Sequence, residues 1–319
     1  MKKLRVAAVM LAAVLVLSGC SAPAGVKEDG KLKIVTTIWP VYQWTQAVLG
    51  DNPGGAEVTL LIDSGVDPHS FQPAVSDIME LYTCDLLIHT GGGSEQWVGE
   101  VLEGEVDPDL VTLPLMETLG DSLCTADHDH EGHDHGHDHH DEEYDEHIWL
   151  SLKMAQTLCH EIAHGLGHVD PENAAVYEAN AETYMAELAA LDKAYEEAAA
   201  ASPHKTLLFA DRFPFLYLTE DYGITHYEAF PGCSAETEAS FETVMHLTEK
   251  VKALELPAIL TIDGGDGSIA RTVAESTGRE DLKILELNSM QAKLEEGDTY
   301  LSIMEENLNV LREALDVGA

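Results

Sequence analysis

The chain has 319 residues, 45% of them hydrophobic, which excludes wholesale disorder and leaves room for two ordinary domains or one large one. Acidic residues number 58 against 17 basic, a formal charge of −41. A field of that sign repels phosphate backbones, which argues against nucleic acid as a partner, and it attracts cations.

Lys2, Lys3 and Arg5 precede a short apolar run from Val6 to Leu17. The run is too short to span a bilayer and ends in small residues, as a secretory signal does. Leu17-Ser18-Gly19-Cys20 resembles a bacterial lipobox, which implies acylation at Cys20. Residues 1–20 are therefore read as a lipoprotein signal peptide and 21–30 as a tether, with the protein extracytoplasmic and lipid-anchored to the cell membrane. An ordinary signal with an incidental cysteine is the alternative. Cys84, Cys124, Cys159 and Cys233 remain, and their spacing does not choose among the possible pairings. None forms a CxxC pair, so a thiolate zinc site is not expected.

Strand-like runs cover Leu32–Ile38, Val58–Ile62 and Leu86–Thr90, with helical patterns over Val41–Leu49 and Ala74–Leu81 between them. A low-complexity acidic and histidine-rich insertion follows at 126–146. It has no apolar period and is expected to be a mobile loop. Its His128, His130, His133, His135, His137, His139 and His140 suit weak, exchangeable binding of zinc, copper or nickel. A long helix then opens at Asp170-Pro171, an N-cap followed by proline in the first turn. Tyr177, Ala181, Tyr184, Leu188, Leu191 and Tyr195 recur at steps of four and three, and the pattern ends near Pro203. Strands at Thr206–Ala210, Ala258–Ile262 and Lys283–Leu287 alternate with helices at Phe241–Leu254, Ile269–Thr277 and Tyr300–Leu315. This alternation predicts βαβ units and a mainly parallel sheet in each half. The predicted layout is a first lobe at 31–168, a long helix at 169–202 that either bridges two lobes or packs inside one, and a second lobe at 203–319.

Two histidines lie in structured sequence. His69 follows the second strand in Asp67-Pro68-His69-Ser70-Phe71, and His147 precedes a helix in Glu146-His147-Ile148-Trp149-Leu150. Strand ends and helix starts line the ligand crevice of an α/β sheet. A third motif, His160-Glu161-Ile162-Ala163-His164, fits the HExxH pattern of zinc peptidases, with Glu161 as the general base. The extended form of that pattern asks for a further histidine that the chain does not supply, and Met154, Leu158 and Ile162 read as packing positions.

The two histidine signatures, in this order and spacing, resemble those of the zinc and manganese solute-binding lipoproteins of ABC importers, the ZnuA-like family. The resemblance extends across the mature chain. It includes the insertion before the second signature, the central helix and the closing Gly297-Asp298-Thr299-Tyr300-Leu301 segment. It implies a cluster A-type fold: two α/β lobes, each with a mainly parallel sheet, joined by one long rigid helix, with a metal between the lobes. His69 and His147 would be the first-lobe ligands. The second lobe departs from the family pattern. In Leu208-Phe209-Ala210-Asp211-Arg212-Phe213 the usual histidine is absent and Asp211 is the chemically able donor, unless water fills that vertex. Asp263 or Asp266, after the Ala258–Ile262 strand, would be the last ligand, and Asp263 aligns better.

Two imidazoles and one or two carboxylates suit tetrahedral Zn2+, while Mn2+ accepts more oxygen. The resemblance implies a zinc carrier without enzymatic activity, a monomer that delivers its ion to the permease of an ABC importer. The alternatives are a manganese-specific carrier, a zinc buffer with no transporter and an HExxH metalloprotease. Binding needs neutral imidazoles, so affinity is expected to fall below about pH 6.5.

Overall fold

The computed structural model describes residues 31–63, 65–104, 106–125, 144–232, 238–292 and 294–317. The predicted leader and tether with Cys20, the seven insertion histidines from His128 to His140, and Cys233 lie outside the described residues.

The first lobe runs β1 (Lys33–Thr36), α1 (Trp39–Leu49), β2 (Glu57–Leu60), α2 (Val75–Thr83), β3 (Leu86–His89), α3 (Gln96–Leu102), β4 (Val111–Pro114), α4 (Leu115–Leu119) and α5 (Leu152–Val169). Helix α6 (Ala174–Ala201) follows. The second lobe runs β5 (Thr206–Phe213), α7 (Leu216–Tyr222), β6 (Thr225–Pro231), α8 (Phe241–Ala253), β7 (Ala258–Ile262), α9 (Ser268–Thr277), β8 (Lys283–Leu287) and α10 (Tyr300–Ala314). Both sheets are parallel, and their orders match: β2-β1-β3-β4 and β6-β5-β7-β8. The chain reverses direction across the sheet between β1 and β3, and again between β5 and β7. Those carboxyl ends are where parallel α/β sheets open a ligand crevice.

The central strands β3 and β7 are buried along their whole length, as apolar runs flanked by helices should be. The edge strands β4 and β6, and the short helices α3, α4 and α7, are not among the elements expected from the sequence. Their burial is only partial, and β6 mixes His226 and Glu228 into its run, so no clean period marks them.

Helix α6 has 28 residues, about 42 Å at 1.5 Å per residue. It begins three residues beyond Pro171. Asp170 closes a turn instead, its carboxylate accepting from Tyr177 Oη at 2.6 Å and Asn173 Nδ2 at 2.8 Å. Near its start, Asn180 donates to Val48 O of α1 at 3.0 Å. A Cβ on Gly50 would lie 2.5 Å from that same amide, and Gly50 has φ +56°, so glycine is what allows α1 and α6 to meet there. Toward its end, Tyr195 donates to Met304 O of α10 at 2.6 Å, and Asp192 accepts from Tyr222 of α7 at 2.9 Å.

The lobes also share one continuous core, in which Trp44 of α1 meets Tyr300 of α10 edge to face at 5.2 Å. Each such fully buried side chain contributes roughly 1.5–3 kcal/mol. The insertion ends earlier than its composition suggests. Tyr144 bridges Thr125, Asp145 N donates to Cys124 O at 2.9 Å, and Asp145 and Glu146 are buried. None of Cys84, Cys124 and Cys159 is in a disulfide.

Candidate metal centre between the lobes

His69 stands in a 3-10 turn at Pro68–Ser70, just beyond β2. Asp67 shapes the turn: its carboxylate accepts from His69 N at 3.0 Å. His69 Nδ1 lies 3.0 Å from Glu146 Oε1. The other oxygen of Glu146 accepts from Ser94 N at 3.0 Å and Ser94 Oγ at 2.6 Å. Burial pushes the Glu146 carboxyl upward, but the hydrogen bonds from His69 and Ser94 outweigh it and hold the group at about 2. Gly92 makes room for this arrangement, since a Cβ there would come within 2.3 Å of Glu146 Oε2.

His147 is almost fully buried and precedes the 3-10 turn at Ile148–Leu150. Asp145 Oδ1 accepts from His147 N at 2.9 Å and lies 2.9 Å from its Nδ1. The two histidine rings are 5.7 Å apart between centroids. The second lobe grips this segment: Tyr217 donates to Asp145 O and Tyr300 to Trp149 O, both at 2.6 Å, and Trp149 Nε1 donates to Ser289 O at 2.9 Å.

The second-lobe acids sit at the reversal point of their sheet. Asp263 directly follows β7, and its two oxygens accept from Ser289 N at 2.5 Å and Ala292 N at 3.0 Å. That 289–292 loop also carries Gln291, whose Nε2 lies 3.5 Å from His69 Nε2. Asp211 lies on the irregular stretch of β5 between Phe209 and Arg212, with Oδ1 accepting from Arg212 N at 2.9 Å and Oδ2 3.4 Å from Ile262 N. Ala210 is buried in the core. Burial, then the charges of Asp263 and Asp211, push the Glu286 carboxyl above its ordinary value. The carboxyl ends of β5, β7 and β8 therefore concentrate negative charge. Asp266 is engaged elsewhere, accepting from Ser268 N at 2.8 Å at the start of α9.

The structure thus brings His69 and His147 together, and ties the loop that caps Asp263 to His69 through Gln291. It does not gather all four candidates into one cage: among the described residues, no three His, Cys, Asp or Glu side chains converge as a metal cluster. His160 and His164 of the HExxH motif are exposed on α5. The roles of Asp145, Glu146 and Gln291 were not read from the sequence. The two acids immediately before His147 were a usable signal, whereas Gln291 had none.

Residues 34–314 match the family described as zinc-uptake complex component A, periplasmic (ZnuA). The chain is 33% identical to the zinc-binding lipoprotein AdcA of Streptococcus pneumoniae, over 99% of this chain and 62% of that protein. It therefore spans under two thirds of that relative's length. It is 30% identical to the high-affinity zinc uptake system protein ZnuA of Bacillus subtilis, over 93% of this chain and 92% of that one. In structure it resembles the Zn(II)-bound ZnuA-like domain of S. pneumoniae AdcA, at 30% identity and TM-score 0.72, covering 90% of this chain and all of that one. The metal-dependent lipoprotein YcdH of B. subtilis gives 28% identity and TM-score 0.74, covering 89% of this chain and 99% of that one.

Proposed function

The chain belongs to the ZnuA family of zinc-uptake components, and from that premise we propose that it captures zinc between its lobes and delivers it to an ABC importer. The observation that carries this reading is the pairing of each histidine Nδ1 with a carboxylate, Glu146 for His69 and Asp145 for His147. An ionised carboxylate can only accept, so Nδ1 carries the proton and Nε2 is the lone-pair nitrogen. That arrangement fixes the ring and raises its basicity toward a metal.

In this reading zinc is cargo, held by His69, His147 and Asp263, with Asp211 or water at the fourth vertex. Two imidazoles and carboxylate oxygen suit zinc's tetrahedral preference. The acids of the second lobe favour a second candidate, manganese, which accepts more oxygen. The proposed organisation is a leader at 1–20 with acylation at Cys20, a tether at 21–30, lobes at 31–168 and 203–319, and a connecting segment at 169–202. The histidine-rich loop would be an accessory recruiter of metal. The protein would act as a monomer outside the cytoplasm, docking on a membrane permease.

Calorimetry with Zn2+ and Mn2+, on the chain lacking residues 1–20 and 126–143, tests the proposal. One tight zinc site that outcompetes manganese and is lost in His69→Ala is the expected result. No tight site would leave the metal with the loop and make the protein a buffer. Preference for manganese would make it a manganese carrier.

A further inference from the structure

Helix α5 carries a row of histidines that the interlobe site does not use. His160, His164 and His168 follow at steps of four and all are exposed. Leu158, Cys159, Ile162 and Ala163 of the same helix are buried. A step of four advances about 6 Å and keeps successive side chains on one face, within reach of a shared ion. His160 Nδ1 lies 3.3 Å from Glu161 Oε1, so a carboxylate backs this imidazole as well.

We propose that His160 and His164 form a second, solvent-facing site on α5 for a borderline divalent cation of the zinc, nickel or copper type. Imidazole suits those ions, and HExxH spacing is the helical arrangement by which two histidines reach one zinc. His164 also makes an overlapping pair with His168. His160 and His168 are about 12 Å apart along the axis, too far to share an ion. The row therefore takes one ion at a time, always through His164.

No third protein donor converges here among the described residues. Asp170, which stands where an extended zincin pattern has its third ligand, is held by Tyr177 and Asn173. Water fills the remaining positions, so the ion exchanges readily and binds more weakly than one enclosed between the lobes. This site stands on α5 alone and does not depend on the interlobe reading.

The test is peptide-resolved carbethoxylation of histidines in the full mature chain, titrated with Zn2+ and read by mass spectrometry. His160 and His164 should lose reactivity together, while exposed His246, which has no histidine at helical spacing, stays reactive. His164→Ala should raise the zinc needed to protect His160 by about tenfold or more, the avidity lost with a tethered second ligand. Protection of His69 should not change in that variant. The proposal is overturned if zinc leaves His160 as reactive as His246, or if His164→Ala leaves the His160 protection curve where it was. Failure of the interlobe site would appear at His69 instead and leave the α5 readout intact.

Discussion

The first lobe offers the cleft two imidazoles, each backed by a carboxylate, whereas the second offers carboxylates tied to backbone amides. Both sheets have the same strand order, so topology decides where a ligand can stand in each. The neighbours decide how strong a donor it is. Glu146 and Asp145 push electron density toward their histidines. Ser289 N and Ala292 N draw it from both oxygens of Asp263. The first lobe should therefore supply most of the zinc affinity, and the second should close the site and neutralise the ion.

The sharpest way to break this comparison is to remove one donor from each side. His147→Ala should weaken zinc binding by more than the roughly 10- to 100-fold that losing an outer-shell partner costs. Asp263→Asn should cost less than His147→Ala. Competition against a chelator of known affinity measures both, with thermal unfolding to check that each variant folds. If Asp263→Asn proves the costlier, the second lobe dominates and the comparison is wrong.

Next in size are the carboxylates behind the imidazoles. Asp145→Asn and Glu146→Gln should each weaken zinc by about tenfold, the low end of the outer-shell range, because the amide oxygen still accepts from Nδ1. Unchanged affinity in both would mean that the rings are oriented by packing alone.

The division between the lobes also governs what the sequence could reveal. His69 and His147 lie in compact signatures, each placed by local residues: Asp67 caps the His69 turn, and Asp145 accepts from the backbone N of His147. Such sites are written locally. Asp263 reads clearly because it follows a fully buried, mostly apolar strand, but its partners at 289 and 292 come from a loop 26 and 29 residues away. Asp211 depends on an irregular register in β5, which no pattern of residue types announces. In the same way the buried strands β3 and β7 were legible as apolar runs, while the edge strands β4 and β6 were not. The start of α6 was misplaced because Asp170-Pro171 has the chemistry of a helix start, yet its carboxylate is used by Asn173 and Tyr177 to close a turn.

A pH series separates the two kinds of donor further. Protons compete with zinc for both imidazoles, so affinity should fall toward about a hundredfold per pH unit once both rings are protonated in the unloaded protein. A limiting slope of tenfold per unit would mean that only one imidazole binds. Glu146 adds nothing to that slope above pH 5, because its carboxyl is held at about 2. Its contribution to the metal-free fold is also lost on acidification, but in a lower pH window. The folded value lies below the ordinary 4.5, so the stabilisation is complete above 4.5 and is lost as pH falls from there through about 2. Acid unfolding followed by circular dichroism should be flatter over that interval in Glu146→Gln.

The smallest effect concerns a charged contact across the cleft. Arg212 of the second lobe lies 3.6 Å from Asp67 of the His69 turn, with 30% and 43% of the two side chains exposed. A pair this wet is worth about 0–1 kcal/mol and weakens with salt. Against it stand Trp44 on Tyr300 and Tyr195 on α10, fully buried side chains of the core that the lobes share. The core, not the ion pair, therefore sets the distance between the lobes. Arg212→Ala should change zinc affinity less than about fivefold at low salt, with the difference fading at high salt. For the same reason, small-angle scattering should give nearly the same radius of gyration with and without zinc. A clear contraction on loading would mean that the buried aromatics slide past one another. The Arg212–Asp67 pair would then act as a latch, and its loss would cost far more than a surface ion pair can.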